Sequence, residues 1–99
     1  MKRLVEVHYF VKSGCRDEFY RQINDKGIAG ASRAETGNEK YDYYLSPTDP
    51  DELILFEVWS SPEAVRSHME TDHYRRLMEL KKKFVIETKF SRYDAEPSA

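Results

Sequence analysis

The sequence predicts a single α+β domain whose strands and helices follow the order β-α-β-β-α-β. Four segments carry β-branched and aromatic residues in the patterns typical of strands, and two regions between them repeat apolar residues at helical spacing. The chain has 99 residues and a mass of 11.7 kDa, which suits one hydrophobic core. This order is the ferredoxin-like arrangement, in which a four-stranded antiparallel sheet carries its helices on one face.

The chain is predicted to begin with a strand and a helix. From Arg3 to Val11, valine and tyrosine at odd-numbered positions alternate with a mixed set at even-numbered positions, which favours a strand. Apolar residues then recur at every fourth position from Cys15, which predicts a helix capped by Ser13. Three glycines are expected to loosen the end of this helix: Gly27, Gly30 and Gly37.

A hairpin is predicted next. The segment from Asn38 to Leu45 is rich in tyrosine and reads as an extended strand. Proline and aspartate between Ser46 and Asp51 favour a turn, because proline fixes φ and aspartate bonds its own backbone. The segment from Leu53 to Trp59 is apolar on both faces and forms the third predicted strand.

The second half of the chain is predicted to hold two short helices and a last strand. Ser60 to Glu63 has the serine, proline and acid typical of a helix start, and Thr71-Asp72 restarts a helix. Alternation returns from Phe84 to Tyr93 as the fourth strand. We therefore expect a domain over residues 1–93 and a poorly ordered polar tail from Asp94 to Ala99.

The third strand also predicts a homodimer. One of its sides carries Leu53 and Leu55, and the other carries Ile54, Phe56 and Val58, so neither face of the sheet suits water. Hydrophobic residues make up only 39% of the chain, which is lean for a core. Packing of two sheets face to face would cover the second face.

Composition excludes several classes of function. Sixteen basic and 18 acidic residues give a net charge of −2, so nothing directs the chain to nucleic acid or an anionic membrane. Charged residues near the N-terminus and the lack of a long apolar run predict neither a signal peptide nor a membrane span. A single cysteine, Cys15, cannot close an intrachain disulfide, so a reducing cytoplasm is the expected location.

No motif for a metal or a nucleotide cofactor is found. The histidines are His8, His68 and His73, and none has the spacing that clusters metal ligands. On one continuous helix, His68 and His73 would lie on opposite sides. The glycines precede a strand and do not open a helix, so they do not form a phosphate-binding loop. Cys15 is interpreted as a core-filling residue in preference to a nucleophile.

Two histidines are candidates for chemistry. His68 shares a helical stripe with Ala64, Val65 and Met69, which is predicted to face the sheet. A buried imidazole needs hydrogen-bond partners, so His68 is either a core histidine or a catalytic or ligand-binding one. His73 falls in the first turn of a helix, where local capping and packing are the alternative to a functional role.

Aromatic residues and one amide are the remaining candidates. Tyr41, Tyr43, Tyr44 and Trp59 could line a pocket for an aromatic ligand, or belong to a core or an interface. Asn38 could orient a substrate carbonyl or turn the chain.

Several motifs resemble the antibiotic biosynthesis monooxygenase domain. They are Glu35-Thr36-Gly37-Asn38 followed by Tyr41-Asp42, then Glu57-Val58-Trp59-Ser60-Ser61 with Glu63-Ala64 and His68, then Thr71-Asp72-His73-Tyr74. The match runs from about residue 4 to residue 92. The resemblance implies a ferredoxin-like homodimer, the dimeric α+β barrel. It also implies membership of a family that includes small quinol oxygenases without metal or flavin, haem-degrading enzymes, and an isomerase of the phosphorylated autoinducer-2 dione.

The resemblance places Asn38, Trp59, His68 and His73 on motif positions, with a pocket between the helices and the sheet. The haem-degrading branch has an asparagine in the first strand, a tryptophan near the position of His68 and a histidine further along the last helix. Here Val7, His68 and Met78 stand near those places, so the resemblance disfavours haem degradation.

The function predicted from these observations is a cofactor-independent monooxygenase that oxidises a small quinol or polyphenol with molecular oxygen. An electron-rich phenolate can pass an electron to O₂ directly, so the protein need only deprotonate and orient it. His68 is assigned as the base, with His73 as a further catalytic candidate. Asn38 and Trp59 are assigned to position the substrate, and Tyr74 or Tyr41 to bond the developing oxyanion.

Two alternatives are an isomerase of a small phosphorylated dicarbonyl and a non-catalytic dimeric binding protein. A phosphorylated substrate needs cations facing the pocket, and the candidates expected from the sequence are Lys26, Arg33 and Lys40.

Overall fold

The structure is a computed structural model that describes residues 1–98. Four strands form one antiparallel sheet in the order β2-β3-β1-β4, which confirms the predicted ferredoxin-like α+β fold. The elements are β1 Lys2–Val11, α1 Arg16–Asp25, α2 Ile28–Arg33, β2 Asn38–Leu45, β3 Glu52–Trp59, α3 Pro62–His68, α4 Asp72–Phe84 and β4 Val85–Ala95. No helix within residues 1–98 is long and apolar enough to cross a membrane.

The hydrophobic core lies between the sheet and the helices. The odd-numbered residues of β1 from Val5 to Val11 are buried, as the alternation predicts. Phe19 and Ile23 of α1 are fully buried against this face, and the Phe19 ring meets Tyr9 edge-on at 5.7 Å. Residues on the opposite face of β1 and β3 are only partly covered within the single chain.

The start of α1 differs from the prediction. Ser13 does not cap the helix; the residue at the cap position is Cys15, and no side chain bonds the free N–H groups there. The Cys15 Sγ instead donates to the carbonyl of Ser13 at 3.6 Å. Cys15 packs partly buried against the core, in agreement with its interpretation as a core-filling residue.

The glycine-containing segment is also more ordered than predicted. Gly27 adopts a φ of +74°, which turns the chain into a separate short helix, α2, that contains Gly30. Ile28 and Ala29 of this helix are buried in the core. The expected loosening of α1 is therefore wrong, because apolar burial stabilises α2.

The two predicted helices in the second half are confirmed, with a break at residues 69–71. Ser61 accepts a bond from the Ala64 N–H at 3.3 Å at the start of α3. Thr71 Oγ1 donates to the carbonyl of His68 at 2.7 Å and accepts from the Tyr74 N–H at 3.2 Å. One hydroxyl therefore closes α3 and caps α4. Met69, predicted to face the sheet, is 48% exposed in this break.

The last strand extends further than the sequence predicts. β4 reaches Ala95, so Asp94 belongs to the sheet and not to a tail, and Arg3 holds its carboxylate at 2.6 Å. β4 is an edge strand that leaves Phe90 and Tyr93 exposed. The end of the predicted tail, Ala99, lies outside the described residues.

Candidate functional site

A cavity of about 560 Å³ lies between the sheet and helices α3 and α4. Its floor is formed by Val5, Val7 and Tyr9 of β1, and its roof includes Leu77 and Met78 of α4. These side chains are buried or partly buried, so most of the wall is apolar. A cavity of this size and character suits a small organic molecule.

One carboxylate joins two imidazoles, and one of these, His68, lines the cavity. Glu35 lies in the loop between α2 and β2, and its Oε2 stands 2.5 Å from His68 Nδ1 and 2.7 Å from His73 Nε2. Since the carboxylate only accepts, each of these ring nitrogens donates its N–H. His68 lines the cavity, and its Nε2 has no hydrogen-bond partner among residues 1–98. This nitrogen is left to accept a proton from a ligand.

The break between α3 and α4 makes this cluster possible. His68 ends α3, and His73 lies in the first turn of α4, so the two residues do not share a helix axis. The opposite placement expected on one continuous helix therefore does not apply, because the predicted restart at Thr71-Asp72 separates the two helices. Their ring centroids are 5.8 Å apart.

The same three side chains could hold a metal ion only after a rearrangement. Their ligand atoms lie within 4.8 Å of one another. Two ligands bound at ~2.1 Å to one tetrahedral or octahedral ion stand roughly 3.0–3.4 Å apart. The observed separations of 2.5 and 2.7 Å are those of charge-assisted hydrogen bonds.

Burial sets the charge of His68. The side chain is 4% exposed, and its loss of water lowers the pKa of His68 below the ordinary 6.5, although the Glu35 carboxylate opposes this effect. His68 is therefore neutral at pH 7. A neutral imidazole with Nδ1–H held by a carboxylate is the form that acts as a base through Nε2.

Three aromatic rings surround His68. Trp59 lies against it with the ring centroids 4.7 Å apart, and Tyr74 and Tyr41 meet it edge-on at 5.2 and 5.7 Å. Tyr41 and Tyr74 line the cavity, whereas Trp59 is fully buried behind the imidazole. Burial raises the pKa of Tyr41 well above 10, so its hydroxyl stays protonated and can donate a hydrogen bond.

A second carboxylate faces the same cavity. Glu57 occupies a core position of β3, is 6% exposed, and lines the cavity. Its Oε1 accepts the indole N–H of Trp59 at 2.9 Å. Burial is the main cause that raises the pKa of Glu57 from 4.5 to about 7.

Comparisons with known proteins place this chain in a family. The family model for antibiotic biosynthesis monooxygenases matches residues 3–80, most of the chain. The chain belongs to the antibiotic biosynthesis monooxygenase family. No curated protein sequence is similar enough to match it.

Solved structures share the same fold. A Mycobacterium tuberculosis protein has a TM-score of 0.84 at 24% identity, over 100% of this chain and 99% of that one. A Nitrosomonas europaea protein, provisionally described as an antibiotic biosynthesis monooxygenase, has a TM-score of 0.84 at 23% identity, over 94% and 97%. A conserved Methanosarcina mazei protein reaches 0.86 at 22% identity, over 97% and 94%. These likenesses establish the fold.

The structure does not bring every motif residue of the family to the cavity. Asn38 lies at an irregularity at the start of β2, and its amide donates to the Lys40 carbonyl at 3.0 Å. It faces a separate shallow depression, shared with Arg33 and Glu39. The chain-turning alternative for Asn38 fits this position, whereas His68, Tyr41 and Tyr74 converge on the cavity.

The cations expected near the pocket lie elsewhere. Lys26 and Arg33 are exposed, and Lys40 is held by Asp42 at 2.8 Å on the other face of the sheet. The cations that line the cavity are instead Arg3, Arg66, Lys81 and Arg92. The sequence prediction failed here because β1 and β4 are adjacent only in the folded sheet.

Two acidic residues were also missed as site residues. Glu57 could have been noticed, because it is the one charged residue in an apolar run and shares a face with Leu55 and Trp59. For Glu35 the neighbouring residues offered no such pattern, and its place at the start of the motif Glu35-Thr36-Gly37-Asn38 was the signal that could have found it. It lies 33 residues from His68 and 38 from His73, and only the fold brings the three together.

Proposed function

We propose that this member of the family is a monooxygenase that oxidises a small quinol or polyphenol with O₂ and without a cofactor. One observation carries the proposal: a neutral imidazole in the wall of an aromatic-lined cavity is held through Nδ1 by a partly buried carboxylate, and its other ring nitrogen is free to bond a ligand. Such a site can bind an aromatic ring and remove a hydroxyl proton from it.

The reaction begins with proton transfer to His68 Nε2. Glu35 fixes the opposite ring nitrogen as a donor and stabilises the imidazolium that forms. The resulting quinolate is electron-rich enough to reduce O₂ directly. In balance, a quinol and O₂ give a hydroxyquinone and water: one oxygen atom enters the ring and the other leaves as water.

The aromatic residues assist in different ways. Tyr41 and Tyr74 line the cavity beside His68 and can donate hydrogen bonds to the developing oxyanion. Trp59 supports the imidazole from behind and so positions the base. His73 shares the carboxylate and fixes its orientation.

We also propose that the protein acts as a homodimer in a reducing cytoplasm. The outward face of the sheet carries apolar side chains that the chain itself covers only in part. A second copy packed on this face would remove them from water. They are Leu4, Phe10, Ile54, Phe56 and Val58.

A second candidate function is isomerisation of a small phosphorylated dicarbonyl. It is favoured by the four cations that line the cavity, of which Lys81 and Arg92 form no ion pair within residues 1–98. The same histidine would then move a proton between carbon atoms of the substrate. A purely binding role remains the third alternative, and any turnover would contradict it.

The experiment follows O₂ uptake and isomerisation separately over a set of quinols and phosphorylated diketones. We expect O₂ uptake with a quinol, and a loss of roughly 10²-fold or more in His68→Gln, because glutamine keeps hydrogen bonding but cannot act as a base. His8→Gln is the matched control, since His8 bonds Glu6 and Glu52 and does not line the cavity. Unchanged turnover in a folded His68→Gln would refute the assignment.

A further inference from the structure

Glu57 occupies a position where an apolar residue is expected. On the core face of β3 its neighbours are Leu53, Leu55 and Trp59, all fully or almost fully buried. It is the only buried acidic residue among residues 1–98. An apolar side chain of the same volume would favour folding, because a carboxylate loses its water on burial.

The contacts within the protein do not compensate this burial. Glu57 forms no ion pair with residues 1–98. Within these residues its side chain takes part in one hydrogen bond, which Oε1 accepts from the Trp59 indole N–H. The second oxygen, Oε2, has no partner and is not sealed from the cavity space. A buried acceptor that opens on a ligand cavity is placed to bind a ligand donor.

The groups around Glu57 leave its second oxygen free to accept a hydrogen bond from a ligand. Its titratable neighbours are Tyr9 of β1, Tyr41 and Tyr43 of β2, Tyr74 of α4, Glu35 of the α2–β2 loop, His68 of α3, and Arg92 of β4 at the cavity wall. The tyrosines are neutral, and the Glu35 carboxylate raises the pKa of Glu57 further, so that it lies near 7. Glu57 can therefore take up and release a proton at neutral pH.

We propose that Glu57 is the second proton acceptor of this cavity, and that the ligand is an aromatic diol whose two hydroxyls bond His68 and Glu57 at the same time. Both residues line the same cavity and contact Trp59, His68 through its ring and Glu57 through the indole N–H, so one rigid group helps to hold both of them in place. This inference deepens the proposed oxygenase function and rests on it.

A quinol has two hydroxyl protons to give up, and two acceptors in one cavity can take them. Oxidation to the hydroxyquinone removes both hydroxyl protons, while the hydrogen on the attacked ring carbon moves to the new hydroxyl. His68 takes one hydroxyl proton and Glu57 takes the other. Both protons are returned to the oxygen atom that leaves as water, so the atoms balance with O₂ as the only oxidant.

Binding without turnover tests the proposal. Under anaerobic conditions at pH 8, hydroquinone and 4-methoxyphenol are titrated against the protein, with the fluorescence of the single tryptophan, Trp59, as the reporter. We expect hydroquinone to bind about tenfold or more tightly, since only it has a second hydroxyl for the carboxylate. Glu57→Gln should reduce this preference to about twofold. A full preference in Glu57→Gln would overturn the proposal.

The matched control is Glu52→Gln, the same substitution on the outward face of the same strand. It should keep the preference of the wild type. If hydroquinone is preferred through Glu57 but no O₂ is consumed in air, the oxygenase function fails and the diol site stands. If O₂ is consumed but Glu57→Gln keeps the full preference for hydroquinone, the oxygenase function stands and the diol site fails.

Infrared spectroscopy of the wild type gives an answer that does not depend on how the variant folds. The carbonyl stretch of a protonated carboxyl should titrate with a midpoint near pH 7. A hydroxyl that donates to the carboxylate favours the ionised form, so hydroquinone should lower this midpoint and 4-methoxyphenol should leave it unchanged. A midpoint that hydroquinone does not move would contradict the diol contact.

Discussion

Replacing Glu57 with glutamine should change how the stability of the protein depends on pH. The pKa of Glu57 is about 7 in the folded protein and 4.5 when it is freely solvated. Because the folded value is the higher one, the protonated carboxyl stabilises the fold at low pH. That contribution is complete below about pH 4.5 and is lost as the pH rises through 7. Glutamine is neutral throughout and keeps an oxygen for the Trp59 N–H.

The size of the effect follows from the difference between the two pKa values. A gap of about 2.5 corresponds to about 3 kcal/mol in the free energy of unfolding, and roughly 2–3 kcal/mol of it falls between pH 5 and 8. No large discount for solvent is needed, since Glu57 is 6% exposed. His68 acts in the opposite direction: its lowered pKa gives stability above about pH 6.5 that is lost as the pH falls. This contribution is common to both proteins and cancels in their difference.

Urea unfolding of both proteins at pH 5 and pH 8 measures the difference. Glu57→Gln should gain roughly 2–3 kcal/mol relative to the wild type between the two pH values. Glu79→Gln serves as the control, because Glu79 is exposed on α4, and its difference from the wild type should not vary with pH. Parallel pH profiles for the wild type and Glu57→Gln would refute the reasoning, whatever their absolute stabilities.

Four further predictions follow from the structure. Glu35→Gln should lower the pKa of His68 further in an NMR titration, because in the wild type the Glu35 carboxylate opposes the effect of burial; an unchanged pKa would count against the hydrogen bond between Glu35 and His68. Gly37→Ala should cost about 1–3 kcal/mol in urea unfolding, since its φ is +91° and the new Cβ would lie 2.8 Å from Ala64 Cβ, while Gly30→Ala, in a helix with open space, should be neutral or stabilising. Sedimentation should give about 23 kDa, twice the chain mass, and a stable monomer at micromolar concentration would contradict the dimer. Chelation should leave O₂ uptake intact. Uptake that is lost on chelation and restored by one metal ion would instead make Glu35 and His68 metal ligands.

The fold was predictable because its elements are encoded locally. Alternation along β1, the Ser61 and Thr71 caps and the proline at the start of α3 each set a structure within a few neighbouring residues. Ser13 misled because its hydroxyl is a typical cap, whereas the helix begins two residues later than that cap would place it, after Cys15. α2 was missed because Gly30 within it and Gly27 just before it outweigh its few apolar residues in any local pattern.

The site was predictable only in part, for a physical reason. His68, Tyr41 and Tyr74 lie on faces that periodicity identifies, so their approach to the cavity could be anticipated. The bond from Glu35 to His68 depends on how a loop meets a helix end, and the position of Arg92 depends on strand order. Neither is encoded within a local segment.

The break between α3 and α4 limits which length changes this chain can accept. Each residue added to or removed from the segment 69–71 would rotate the start of α4 by ~100° about its axis, and His73 would leave the Glu35 carboxylate. The hairpin turn at residues 46–51 has no such constraint, because it lies at the end of two paired strands, away from the cavity. Insertions among relatives that keep the same chemistry should therefore accumulate in the turn, while the three-residue break keeps its length.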